Sequence, residues 1–79
     1  MPKLSPWLAD AIRKRREAAG ISQEELADRA ELHRTYVSLV ERSKRNVTVD
    51  ALDRIASGLG VPASRLLAEA ETTRSKGRR

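Results

Sequence analysis

Apolar residues in this chain come in short clusters at helical spacing, divided by capping and turn residues. Ser5-Pro6 pairs a good N-cap with a proline tolerated at a helix start. Leu8, Ala11, Ile12 and Ala19 then recur near helical spacing until Gly20 stops the run. Ser22 and Glu25 have the spacing of a capping box, in which each side chain satisfies a free amide at the helix start. Leu26, Ala27 and Ala30 give this short second helix its buried side. Leu32 marks a turn, and a third helix is expected from about His33 to Arg42, with Val37 and Val40 inward. Ser43-Lys44-Arg45-Asn46 reads as a polar, basic loop. Thr48 caps a fourth helix, Asp50 suits its dipole, and Leu52, Ile55, Ala56 and Leu59 follow the i, i+3, i+4, i+7 pattern. Gly58 and Gly60 mark its end, Gly60 being the better C-cap. Val61-Pro62 leads into a fifth helix carrying Leu66 and Leu67. No strand alternation or internal repeat is visible, so the pattern predicts an all-α domain of five short helices over residues 1–70. From Glu71 to Arg79 the apolar period is lost, and a basic, disordered tail is expected.

Composition narrows the class. A chain of 79 residues makes one small domain, able to bury about 60% of its unfolded surface. Cysteine is absent, which excludes disulfides and Cys-based metal sites and suits a reducing compartment, the cytoplasm. The single histidine excludes an all-His metal site. No apolar run approaches the ~18 residues of a membrane helix, and the N-terminus lacks the apolar core of a secretory signal. The net charge is +5, but four cations (Arg74, Lys76, Arg78, Arg79) fall in the last six residues. The body is nearly neutral, so an anionic partner must be met by a localised patch. Trp7 and Tyr36 are the only aromatics, which argues against RNA modules that stack bases on aromatic platforms.

That patch falls between Gln23 and Arg42 and just beyond. Two short helices joined by a tight turn, with small Ala27 at their close approach, have the plan of a helix-turn-helix that presents its second helix to the major groove. Val37 and Val40 face inward, and Arg34, Thr35 and Ser38 share the outward face. Arg34 can grip guanine O6 and N7; its charge is mildly unfavourable at a helix start, so a bland surface role explains it poorly. Thr35 and Ser38 can reach base edges or a thymine methyl. Gln23, at the start of the second helix, is placed for a phosphate contact alongside free amides. Arg42, Lys44, Arg45 and Asn46 form a polar cluster suited to the DNA backbone, with Thr48 beside it. Tyr36 has two open readings, contact with DNA or packing on the domain. His33, a poor N-cap residue, reads as structural or phosphate-facing. No catalytic triad, paired-carboxylate pocket or phosphate-cradling glycine loop is legible. A non-enzyme with no cofactor and no metal is expected. One such domain offers few base contacts, and a two-fold homodimer doubles them. Leu66 and Leu67 are adjacent, so one is expected in the core. The other, with Leu59 and Val61 nearby, is expected at the subunit interface.

The residues Ile21 to Ala27, Tyr36-Val37-Ser38 and Glu41-Arg42 resemble the Xre/Cro family of lambda-repressor-like DNA-binding domains, over about Leu8 to Leu67. Within it, Arg34 to Ser38 with Arg42, Arg45, Asn46, Val47 and Thr48 is similar to controller proteins of restriction–modification systems. The resemblance implies a compact five-helix fold and a homodimeric transcriptional regulator bound to a double-stranded operator. It also implies a structural ion pair between Arg16 and Glu41. Helix two resembles that of the lambda repressor, where acids at the positions of Glu24 and Asp28 touch the sigma subunit of RNA polymerase. Glycine is frequent in the family where this chain has Glu31 and Ser43. A phage-type repressor, an antitoxin-like regulator or a basic protein-interaction module stay open as alternatives.

Overall fold

Residues 3–76 are described by the computed structural model, and they form five helices with no strand among them. These are α1 (Ser5–Ala18), α2 (Gln23–Ala30), α3 (Arg34–Glu41), α4 (Val49–Leu59) and α5 (Ala63–Lys76). The all-α, five-helix expectation holds. Residues 77–79 of the expected tail lie outside the described residues.

Two N-termini close as the sequence predicts. Ser22 Oγ accepts the Glu25 amide at 3.0 Å, and Thr48 Oγ1 accepts the Ala51 amide at 3.1 Å. The reciprocal half of the capping box is replaced: the Glu25 carboxylate pairs with Arg29 one turn on, at 2.8 Å. Ser5 departs from its expected role. Leu4 stands at the N-cap and Ser5 is already helical, its hydroxyl donating to Asn46 Oδ1 at 3.3 Å.

The C-termini of α1 to α4 share one geometry. A residue of positive φ follows each helix (Gly20, Glu31, Ser43, Gly60). The next amide donates back five residues: Ile21 to Arg16, Leu32 to Ala27, Lys44 to Leu39 and Val61 to Ala56. This is the Schellman motif, in which an apolar residue after the left-handed one packs back on the last turn. Ile21, Leu32 and Val61 occupy that place, Ile21 buried and the other two half-buried. Glycine takes φ 73° and 76° at Gly20 and Gly60 without penalty; Glu31 and Ser43 both hold φ 58°, where a Cβ crowds the backbone.

The core joins all five helices through Leu8, Ile12, Leu26, Val37, Ile55 and Leu66, with α1 packed on α5 and α2 on α4. Gly58 lies in the last turn of α4, two residues before the Gly60 cap, and has a packing role as well. Helix α4 crosses α2 at this point, and a Cβ there would stand 3.2 Å from Arg29 Cβ and 3.3 Å from Leu26 Cδ1. Helix α5 continues to Lys76 instead of dissolving at Glu71. Ala70 is fully buried, Thr73 donates to the Glu69 carbonyl at 3.0 Å, and the Glu69 carboxylate is gripped by both Nε and Nη2 of Arg15. That hydrogen bonding holds the Glu69 carboxyl below the usual carboxylate range, against a smaller opposing effect of burial. Trp7 is half-buried on α1 and faces Glu41, Arg42 and Ser43 across a surface hollow.

Glu31 is exposed, and its carboxylate meets Arg54 at 3.4 Å on the surface, an interaction worth little. Glu31→Gly should therefore raise the stability of the fold by about 1 kcal/mol, since left-handed geometry costs a side-chain-bearing residue about that much. Urea unfolding with an unchanged slope checks it.

Candidate nucleic-acid interface

Helix α3 is anchored from below and open above. Val37 is fully buried and Val40 nearly so, while Arg34 and Thr35 are exposed and Ser38 is half-buried. Ala27, at 2% exposure, gives α2 the small side that this packing needs. The three residues expected to read bases therefore stand on the outward side of α3, with Arg34 at its first position.

A buried carboxylate fixes the far end of α3. Glu41 is the one charged residue classed as buried among those described, its side chain 2% exposed. Its oxygens accept from Arg16 Nε at 2.7 Å, Arg16 Nη2 at 3.0 Å and Gln23 Nε2 at 3.0 Å. Arg16 also donates to the Ile21 carbonyl at 2.9 Å. Bonding to Glu41 raises the already high pKa of Arg16, so the guanidinium stays charged at every accessible pH. The Arg16–Glu41 pair is thus present. Gln23, expected at a phosphate, spends one N–H on Glu41 and keeps a second N–H and its carbonyl at the start of α2.

The loop after α3 is braced by Tyr36. Its hydroxyl accepts the Thr48 amide at 3.3 Å and donates to the Asn46 carbonyl at 3.5 Å, and the Arg45 guanidinium lies 5.7 Å from the ring centroid. The packing alternative for Tyr36 is therefore realised, with the loop as its partner. Arg42, Lys44, Arg45 and Asn46 are all exposed along this segment. The Thr48 hydroxyl serves as the α4 cap, which leaves its own proton for a further acceptor. His33 is the exposed residue before α3 and makes no side-chain cap bond. Glu24 and Asp28 lie exposed one turn apart on α2.

Of the adjacent pair Leu66 and Leu67, Leu66 is the one that is fully buried in the core. Leu59, Val61 and Leu67 are partly buried and pack against that core. Sequence reasoning missed three connections: Arg15 to Glu69, Gln23 to Glu41, and the Tyr36 hydroxyl to the loop. The first spans 54 positions and the second 18, and no local spacing signals either.

The helix-turn-helix family model matches residues 12–66. The chain is 43% identical over 60 residues to the control protein C.SmaI of Serratia marcescens, covering 76% of this chain and 71% of that protein. It is 42% identical over 57 residues to the control protein C.MunI of a Mycoplasma species, covering 72% and 77% respectively. Its fold matches the crystal structure of the wild-type restriction–modification controller protein C.Esp1396I with a TM-score of 0.82 at 33% identity, over 91% of this chain and 92% of that one.

The buried pair sets a measurable cost. Glu41→Ala leaves the shielded Arg16 guanidinium without its counter-charge and should destabilise the domain by about 3–5 kcal/mol. Chemical denaturation of the variant beside the parent chain tests this, and a loss under about 1 kcal/mol would show the pair to be incidental.

Proposed function

The chain belongs to the Xre-type helix-turn-helix family, and from that premise we propose that it is a sequence-specific, double-stranded DNA-binding transcriptional regulator of the restriction–modification controller kind. The observation that carries this is the outward side of α3. Arg34 and Thr35 stand exposed above a buried apolar side, with Ser38 half-buried beside them, and Arg42, Lys44 and Arg45 follow at once.

The mechanism is binding, not catalysis. Helix α3 enters the major groove, the Arg34 guanidinium donates two parallel hydrogen bonds to guanine O6 and N7, and Thr35 and Ser38 read neighbouring edges. Lys44, Arg42 and Arg45 neutralise phosphates, and Gln23, Asn46, Thr48 and His33 donate to or flank the backbone. The Tyr36 brace supports this by holding Arg45 and Asn46 at a fixed distance from α3. The acting form is a homodimer on a two-fold operator, with half-sites about one helical turn apart. Glu24 and Asp28 suit a further role. Carboxylates are repelled by phosphate, so an acidic strip beside the DNA-facing side fits contact with a basic protein bound next to it, the sigma subunit of RNA polymerase.

Site selection from a random duplex pool, followed by titration, tests the reading. Arg34→Ala should cost about 1–3 kcal/mol on the selected site and relax one base-pair position. Lys44→Ala should weaken all duplexes alike and reduce the salt dependence by about one ion. An unchanged site and affinity for Arg34→Ala would refute the docking. At matched operator occupancy in a reporter assay, joint charge reversal Glu24→Lys and Asp28→Lys should abolish activation; unchanged activation would leave those acids as helix-start charge alone.

A further inference from the structure

We propose that the hollow between the start of α1 and the end of α3 seats a phosphodiester of the bound duplex, which makes α1 a third helix of the interface; this rests on the DNA-binding reading. Trp7, Asp10 and Arg13 of α1 line one side of the hollow, and Glu41 and Arg42 the other. Its place relative to the groove follows from α3. A recognition helix reads bases with its N-terminal residues. Helix α3, with 8 residues, is about 12 Å long, close to the width of the major groove. With Arg34 at the base edges, the far end of α3 lies against the phosphate wall of the groove, and Arg42 belongs to both that wall and the hollow. The start of α1 is tied to the same wall, because the Ser5 hydroxyl donates to Asn46 Oδ1 in the basic loop at 3.3 Å.

The charges of the hollow leave it open to an anion. Glu41 is spent on Arg16 and Gln23. Asp10 carries two cations, Arg13 and, at 3.0 Å, Lys14. Arg13, its side chain 44% exposed, can therefore bond a phosphate oxygen while Lys14 keeps Asp10 neutralised. Arg42, exposed on the other side, adds a second positive charge. Neither acid is left uncompensated to repel phosphate. Trp7 supplies a neutral donor. It is half-buried, yet its indole N–H has no hydrogen-bond partner among the described residues and is not shut away from water. Indole N–H groups usually find a partner when buried. A donor left open in a hollow shared with two guanidinium groups suits an anionic oxygen, to which its bond is charge-assisted. Such a seat touches no base, so it adds affinity on every sequence and fixes how α3 is set in the groove.

Titration of the full chain with its selected duplex and with an unrelated one, over a range of salt and alongside phosphate-ethylation interference, tests the proposal. Trp7→Phe keeps an aromatic ring against the core and removes the N–H. It should weaken both duplexes by roughly tenfold, as loss of a hydrogen bond to a charged group does, with the salt slope unchanged. Arg13→Gln should weaken both and lower the slope by about one ion. Ethylation of one phosphate per half-site should impair the parent and Lys44→Ala chains but leave Trp7→Phe unaffected. Arg65→Gln removes an exposed cation of α5 that does not line the hollow, and should leave the slope as it is. Trp7→Phe and Arg13→Gln chains that bind with the parent's affinity, slope and ethylation pattern overturn the seat while leaving Arg34 as the base reader. Circular dichroism checks the fold of each variant. Should Trp7→Phe unfold, the surface variant Arg13→Gln decides, and an unchanged slope overturns the proposal. A parent chain without salt-dependent duplex binding overturns the DNA-binding reading itself.

Discussion

The Glu41 carboxylate, shut away from water at the end of α3, takes its hydrogen bonds from Arg16 of α1 and Gln23 of α2, and so sets three helices in register around one negative charge. Removing such ions from water costs several kcal/mol each, and the cost is offset only when the partners are in place. A slide of α3 along its axis, or a rotation about it, would leave Glu41 without Arg16. The outward side of α3 follows from that constraint, because Val37 and Val40 can point inward in just the register that satisfies Glu41. Gln23 extends the same constraint to the start of α2, so the first residue of α2 is held by the last residue of α3.

Around this centre the helices are short, and their ends do much of the structural work. Four consecutive Schellman closures turn the chain sharply after α1, α2, α3 and α4. Only two of the four use glycine at the left-handed position. The two that do not, Glu31 and Ser43, bracket α3. The recognition helix therefore sits between the two strained turns of the domain, and its placement is maintained by packing and the buried ion pair against a local backbone preference for something else.

Those features explain which parts of the molecule were legible in the sequence. The α2–turn–α3 unit is spelled by local signals: the Ser22 cap, small Ala27, the Val37–Val40 stripe and Thr48 as the next cap. Each acts within a turn or two of itself. What escaped depends on partners far along the chain. Ser5 gives up the N-cap for Asn46, 41 positions away. Helix α5 outlasts its apolar period because Ala70 reaches the core and Arg15 holds Glu69. Gly58 reads only as a mark of the helix end, and is also the notch where α4 crosses α2. At the site, the Arg16–Glu41 pair was available through family resemblance, but its third member, Gln23, and the Tyr36 brace arise from tertiary proximity that no spacing encodes. The adjacent leucines were half legible. Adjacent leucines on one helix suggest two destinations, and Leu66 takes the core while Leu67 stays partly buried against it, a choice that only the packing makes.

Trp7 gives the domain a built-in optical probe. It is the sole tryptophan of the chain, half-buried on α1 and set across a hollow from Glu41, Arg42 and Ser43. Its indole thus senses the seam where the first helix meets the end of the recognition helix and the turn that leads into the basic loop. Emission from the unlabelled protein reports on the polarity and mobility of that seam alone, undiluted by any second tryptophan. Local opening at the buried carboxylate can then be separated spectroscopically from loss of helix elsewhere, in native solution and without introducing a dye.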